Sequence, residues 1–539
     1  MNKKDIFLIL IIILFSLVVT YACQKDALFN RYVVSDDSSH YIFPFYKIQD
    51  HALFPDDIFS RYALNYNAVG IVLLYSIFSV FLDPLLFSKI LPFILCGLCA
   101  IYFFLIGRKI LNKYCGFLSA VMFIMYSWTI PACFSGGHAR AFCFPLLSAF
   151  VYYLLEKRYL LSGIILLLQT FIYPPVGAVS LLAIFILFFP RAVKDFRHKI
   201  PLSYEIKFTM FLIIINILLL GALFLRKDCN IGSLVSFREM IRMPEFFWGG
   251  RTPFFINSFK MLKDPAVADR VTGIPIYGFP IWSLLVISAA GMYLMIKKKI
   301  AVHPVLNAVC ISGFLFYGLS WVLVLKLYYP GRYLKFALPF YLIFLCAITI
   351  TGTIIDKAKR AKNLRRLFLL SLAVVVLYLP FLNKDLVNYK NIKLYQFLST
   401  LPKNALIAGH PFLMNEVPLF SKRKVFLTFE LSTPFYRNYY KQVKQRTYDF
   451  FRIYYSGSFN EIKEVCIEYG IDYVLIKKEH FSQPYIEKKN FYIEPFNRQI
   501  RRVVENNFKN GFALENIPAD CRVYEDNDIS VIKVSGLKI

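Results

Sequence analysis

The stretch Val34–Asp57, VSDDSSHYIFPFYKIQDHALFPDD, decides how the rest of this chain reads. It carries two adjacent acidic pairs, Asp36-Asp37 and Asp56-Asp57, and follows directly on a first apolar run at 6–22. Acids are scarce elsewhere, since 34 Asp and Glu face 62 Lys and Arg. A carboxylate pair held just outside a hydrophobic span has something to bind or something to deprotonate. The remainder of the chain is expected to hold that loop over a bilayer and to bring lipid-borne material to it.

Composition supplies the setting. Hydrophobic residues make up 58% and charged residues 18%, whereas soluble domains run at about 45–50% and 25%. The chain therefore reads as a multi-pass membrane protein. A net charge of +28 would in a soluble chain suggest nucleic acid. Here much of the excess sits in short runs between apolar segments, where membrane proteins keep their topology signal, and no nucleic-acid-binding motif competes. The 11 cysteines are dispersed without a CxxC pair outside the apolar spans, so neither a disulfide framework nor a zinc site is indicated. The N-terminus, MNKKDIFLILIIILFSLVVTYAC, has a basic start and an apolar run too long for a cleavable signal; it reads as an uncleaved first span.

Apolar runs fall at 6–22, 85–106, 115–131, 142–155, 160–173, 175–189, 208–225, 280–296, 305–326, 337–355 and 367–382, about eleven helices against a core of ~30 Å. The stretch Ala68–Leu82 is apolar too, but a full span there would move Arg108-Lys109 away from the other basic loops. It is expected to lie along or partly into the outer interface. With the N-terminus inside, the inner loops are Asn2–Lys4, Arg108–Lys113, Glu156–Arg158, Arg191–Lys199, Lys297–Lys299 and Asp356–Arg366, each with Lys or Arg in excess. The outer segments are then 23–84, 132–141, Tyr173-Pro174-Pro175, 226–279, 327–336 and everything after 383. From Asn383 onward no run is long enough to span. Strand-like Leu406-Ile407-Ala408, Val425–Phe429, Tyr473–Ile476 and Ile529–Val534 alternate with helical Pro434–Tyr454, Asn460–Tyr469 and Arg498–Asn510. Ser458 and Glu461 have capping-box spacing. The expected architecture is an α-helical polytopic membrane domain, 1–382, followed by an extracytoplasmic α/β domain, 383–539.

Several groups in the outer segments carry chemistry. Asp36-Asp37 suits a general base and a neighbour that positions an acceptor or shares a divalent ion, and equally suits the first turn of a short helix. Asp56-Asp57, in Phe54-Pro55-Asp56-Asp57, can face the first pair across a cavity or simply close a turn. In Gly136-Gly137-His138-Ala139-Arg140, two glycines let the backbone turn tightly and Arg140 opens a helix, an arrangement suited to a phosphate or to a snorkelling cation. In Tyr328-Tyr329-Pro330-Gly331-Arg332-Tyr333-Leu334-Lys335, Arg332 and Lys335 put positive charge on the outer face against the orientation rule, which points to binding. His410, in Gly409-His410-Pro411, opens the external domain after a strand.

An outer loop with Asp36, Asp37, His40 and Tyr41 after the first helix, then an interfacial apolar helix and a span ending Gly107-Arg108-Lys109, resembles the GT-C superfamily of integral-membrane glycosyltransferases. The resemblance implies a polyprenyl-phosphate sugar donor, an extracytoplasmic acceptor and an acidic catalytic base at Asp36 or Asp37. It also implies a late outer arginine on the lipid phosphate, here Arg332, and in some members a divalent cation such as Mg or Mn. It extends over residues 1–380 by architecture and over the first hundred by motif. A lipid transporter or flippase shares the helix count, but its spans would carry coupling carboxylates or broken helices, which are not evident here. A non-catalytic assembly protein on the same scaffold is the third reading.

Overall fold

The computed structural model describes residues 3–126, 133–198, 204–225, 230–255, 271, 301–357, 386–488 and 490–537. Each expected apolar run within these residues carries a helix; 280–296, 367–382 and the end of 115–131 lie outside them. Lys3–Phe29, Pro84–Ile110, Pro174–Arg197, Pro304–Val322 and Gly331–Gly352 are long and apolar enough to cross a membrane. Lys113–Met125, Cys143–Leu155, Tyr159–Ile172 and Tyr204–Leu225 are further apolar helices. Val69–Phe78 has 10 residues, about 15 Å at 1.5 Å per residue, which falls short of a ~30 Å core as expected for an interfacial helix.

Local sequence explains the starts and the crossings. Asp83 caps Pro84–Ile110 by accepting from Leu85 N at 2.8 Å and Leu86 N at 3.1 Å, with Pro84 at the first helical position. Its carboxylate also accepts from the Tyr46 hydroxyl at 3.2 Å, which fastens the first loop to the second span. Gly107 and Gly116 let two helices touch backbone to backbone, since a Cβ on Gly107 would sit 2.8 Å from Gly116 Cα. Small residues serve this purpose where lipid offers no hydrophobic drive for helix association.

Described parts of the expected outer segments touch one another in pairs. Strand β1 (Val33–Val34) pairs antiparallel with β2 (Val387–Asn388). Ser38 Oγ is hydrogen-bonded to His138 Nε2, Arg332 Nη1 donates to the Tyr173 hydroxyl, and Arg437 N donates to Ser233 O. Arg108 pairs with Asp5 at 3.3 Å and Lys109 with Glu156 at 2.9 Å. Two of the loops read as inner, at Arg108-Lys109 and Glu156, thus meet each other and the N-terminal helix.

The C-terminal region is α/β. Its sheet runs β4 (Lys424–Val425), β3 (Leu406–Gly409), β5 (Tyr473–Lys477), β7 (Ile529–Lys533), β6 (Arg522–Glu525), with β3 parallel to β4 and β5, and β7 antiparallel to β5 and β6. Helices Arg437–Tyr454, Phe459–Tyr469 and Asn497–Phe508 pack on it. Two local expectations are corrected. The strand expected over Val425–Phe429 stops at Val425, and Ser458 makes no side-chain cap, because Glu461 accepts instead from Ser456 Oγ at 2.6 Å. Among the described residues a capping box forms between Ser236 and Glu239, in the second outer loop.

Candidate active site at the first outer loop

Ser35 is extended, and the chain then turns into the short helix Asp36–Tyr41 with both carboxylates in its first turn, where unpaired amides favour negative charge. The helical and the chemical readings of the pair therefore coexist. Within that turn the two side chains part. Asp37 Oδ2 stands 2.7 Å from Arg140 Nη1, whereas Asp36 Oδ1 stands 3.6 Å from His40 Nε2, four residues on. Asp36 is 66% exposed and His40 3%, so the pair presents a carboxylate outward with an imidazole behind it. Ser39 Oγ bonds the His40 ring and donates to Asp36 O at 2.7 Å, which fixes both.

Charge separates the two acids further. Burial pushes the Asp37 carboxyl up, but Arg140, His138, His40 and Arg332 outweigh it and hold the group well below the usual carboxylate range. Burial works against the His40 cation, yet the Asp36 hydrogen bond and the charge of Glu430 raise its pKa above the ordinary value. His138 is pushed down to about 4, chiefly by burial, and stays neutral against Ser38. The arrangement is a fixed carboxylate–arginine pair beside an exposed carboxylate backed by a basic imidazole.

The glycine turn holds this together. Gly136 and Gly137 have φ of +79° and +60°, and a Cβ on Gly136 would run into Ser35 and Ser38 Oγ. The Tyr75 hydroxyl donates to both glycine carbonyls, at 3.3 and 3.2 Å. The turn is as tight as the sequence suggests, and its Arg140 is directed at Asp37. Arg332, at the start of Gly331–Lys357, donates to the Tyr173 hydroxyl at 3.3 Å and is close enough to lower Asp37. Lys335 is buried nearby, among groups that include Cys133 and Cys143. Tyr41 stacks on Tyr66 at 5.1 Å and meets His138 edge-on at 6.3 Å.

Three expected site residues stand elsewhere. Asp57 caps the helix Ile58–Tyr66 by accepting from Ser60 N at 2.7 Å. Its burial, beside Arg446 of the C-terminal region, pushes the carboxyl up to about 6. Asp56 is exposed in a left-handed turn at φ 49°. The second acidic pair thus forms a turn and a cap. His410 is buried among rings of the C-terminal region, against Phe412, Phe451 and His480.

Sequence reading missed Glu416, Glu430 and Arg251. Glu416 is buried near His40 and Asp36, and burial holds its carboxyl up at about 7. Glu430 pairs with Arg251 at 2.6 Å, and Arg251 also donates to Phe429 O and lies over the Phe429 ring. These residues reach the loop from more than 200 positions away, and the only local signal was an acid following an apolar strand-like run.

Among the described residues no three His, Cys, Asp or Glu side chains converge as metal ligands. Asp37, the ligand the resemblance offers, already has Arg140 as its counter-ion and Arg332 nearby. The donor set among the described residues is too small for Mg or Mn.

No protein-family model and no curated protein sequence matches the chain. Solved structures do resemble it. The archaeal oligosaccharyltransferase AglB from Archaeoglobus fulgidus, in complex with an inhibitory peptide and a dolichol-phosphate, aligns with 90% of this chain and 70% of its own at 11% identity and a TM-score of 0.50. Its apo form gives the same score over 71% of its length. The arabinofuranosyltransferase AftD from Mycobacteria aligns with 99% of this chain and 42% of its own, at 11% identity and a TM-score of 0.52. The chain is a polytopic helical membrane protein that shares the fold of these solved structures, a helical domain with five helices long and apolar enough to cross a membrane followed by an α/β domain.

Proposed function

We propose that this protein is a membrane glycosyltransferase that moves a sugar from a polyprenyl-phosphate donor to an extracytoplasmic acceptor with inversion. The observation that carries the reading is the division of labour across Asp36-Asp37. Two arginines gather on the Asp37 side, and an exposed carboxylate with its imidazole stands on the other.

In the step, Asp36 takes the proton from the acceptor hydroxyl as its oxygen attacks the anomeric carbon. The bond from that carbon to the phosphate oxygen breaks, and the electron pair leaves with the polyprenyl phosphate. Arg332 and Arg140 stabilise the charge that develops there, and a phosphate leaving group needs such cations more than it needs an acid. His40 orients Asp36, and the exposed face of that carboxylate passes the proton on to solvent.

Asp37 is the less suitable base, although it stands closer in sequence to His40 and Tyr41. A carboxylate held this low by Arg140 has little drive to accept a proton. The test is purified protein in lipid vesicles with radiolabelled polyprenyl-phosphate hexoses and pentoses and envelope glycan acceptors. Transfer by the native chain and its loss in Asp36→Asn support the reading; absence of transfer with every donor contradicts it.

A further inference from the structure

The helix Arg437–Tyr454 of the C-terminal region carries polar side chains at Asn438, Lys441, Gln442 and Gln445. Spacings of three and four residues put them on one stripe of the helix, with Arg446 at its edge, while Val443, Thr447 and Phe450 are buried on the opposite side. The stripe forms one wall of an open cleft of about 660 Å³, which Tyr469, the last residue of the helix Phe459–Tyr469, and Asn230 of the second outer loop complete. Sites for small ligands run at about 300–1,000 Å³.

Neighbouring groups fix these walls. Tyr439 N donates to Ile231 O and Arg437 N to Ser233 O, both at 3.0 Å, so the loop after Asn230 lies along the start of the helix. Gly232 permits that approach: its φ is +83°, and a Cβ there would sit 2.7 Å from Asn438 Cγ. Gln445 Nε2 and the Tyr469 hydroxyl both donate to Asp449 Oδ2, at 3.0 and 2.7 Å, which orients the two side chains and leaves the Gln445 amide oxygen to accept from a ligand. Arg446 donates from Nη1 to Phe426 O at 3.2 Å and lies 5.2 Å from the centre of the Phe426 ring.

Charge sets the cleft apart from the rest of the helix. Arg437 pairs with Glu239 at 2.6 Å, Lys444 with Glu245 at 3.3 Å, and Arg452 with Glu461 at 3.5 Å and Asp449 at 3.7 Å. Lys441 and Arg446, the two cations that line the cleft, pair with no carboxylate among the described residues, and no acidic side chain lines it. The charge of Asp57 reaches Arg446, but its carboxylate accepts from Ser60 N instead of forming an ion pair. Two cations without a counter-ion suit one anionic group. The carboxamides around them each offer donors and an acceptor, as adjacent hydroxyls do, and the Tyr469 ring adds a face for C–H groups. A lipid tail would need apolar walls, which this lining does not provide.

We propose that this cleft binds an acidic saccharide, with Lys441 and Arg446 on its carboxylate or phosphate and the carboxamides on its hydroxyls. None of the lining belongs to the first outer loop, so binding requires neither the sugar donor nor turnover.

The experiment is calorimetric titration of the full chain in phosphatidylcholine nanodiscs with methyl glucuronide, glucose 6-phosphate, methyl glucoside and inorganic phosphate. At least one of the two acidic sugars is expected to bind roughly ten- to hundredfold more tightly than methyl glucoside, the difference that hydrogen bonds to a charged group bring; which of them binds separates carboxylate from phosphate. Lys441→Gln and Arg446→Gln should each weaken that binding about tenfold or more, Gln445→Ala about three- to tenfold, and Asp36→Asn should leave it unchanged. Lys441→Gln alters an exposed side chain and keeps the test decisive should Arg446→Gln fail to fold. Absence of binding by either acidic sugar overturns the proposal, as does equal affinity for methyl glucoside or unchanged binding in Lys441→Gln. Inorganic phosphate bound as tightly as the acidic sugars makes the cleft a plain anion site, and loss of sugar binding in nanodiscs that contain phosphatidylglycerol assigns it to a lipid headgroup; either result overturns the proposal. Binding in a protein that transfers no sugar keeps the cleft and removes the transferase reading, whereas transfer without binding removes the cleft alone.

Discussion

Replacing Asp37 by Asn leaves Arg140 without its counter-ion, whereas replacing Asp36 by Asn removes the exposed carboxylate and leaves the ion pair intact, so the two variants should fail differently. Asp36→Asn is expected to lower kcat by about 10²–10⁴-fold with little change in KM, the loss typical of a missing general base. Asp37→Asn should chiefly disturb donor affinity, because a freed Arg140 changes the charge available to a phosphate. Steady-state kinetics with varied donor separate the two. Arg332→Ala should weaken binding of polyprenyl phosphate as well as turnover, and Arg332→Lys should restore little, since an ammonium lacks the planar fork. Unchanged lipid-phosphate binding in Arg332→Ala, together with its loss in Arg140→Ala, would move the phosphate site to the glycine turn. The acidic pair was legible in the sequence. What distinguishes its members was not, because it is decided by Arg140, Arg332 and Glu430, which only the fold brings near.

The helix Ile58–Tyr66 shows how an element can absorb a residue that looks functional. Asp57 caps it, with its carboxyl pushed up to about 6 by burial from an ordinary 3.8. Between these values the folded chain holds a proton that the unfolded chain has released, so Asp57 makes stability fall as pH rises from about 4 to 6, and the deficit persists above. Asp57→Asn keeps a good cap without the buried charge and should flatten that part of a melting-temperature profile, with transfer retained. Asp57→Ala should lose about 0.5–2 kcal/mol; loss of transfer in a stable Asp57→Asn would return the residue to the active site. Gly136→Ala is expected to destabilise the protein and impair transfer together, because the new methyl group meets Ser35 and Ser38 at a backbone angle that side chains rarely adopt. Apolar helices were legible as long runs, and β3, β5 and β7 as short ones. β6 (Arg522–Glu525) was not, since only alternate residues of this edge strand are even partly buried, and the Ser458 cap failed because Ser456 reached Glu461 first.

At the scale of the whole molecule, the first loop, the second loop and the C-terminal region are clasped on one face. Val33–Val34 lies against Val387–Asn388, Lys403 pairs with Asp50, and Arg437 with Glu239. Cysteine labelling in intact cells should therefore find positions 46 and 438 on the same side, and 109 and 156 on the other. Labelling of 46 and 438 from opposite sides would break the clasp and the active site with it. The basic loops between apolar runs were legible because Lys and Arg stand out locally. The clasp was not, since pairs such as Arg251–Glu430 join distant segments whose partners no local pattern specifies. The central claim is that this bundle and its clasped loops form a sugar-transfer site with Asp36 as base. Its most direct test is the rate of transfer from a polyprenyl-phosphate-linked sugar by the native protein and by Asp36→Asn, reconstituted in the same vesicles at matched folded amounts. The account predicts measurable transfer by the native chain and a loss of about 10²–10⁴-fold in the variant; equal rates in the two proteins would contradict it.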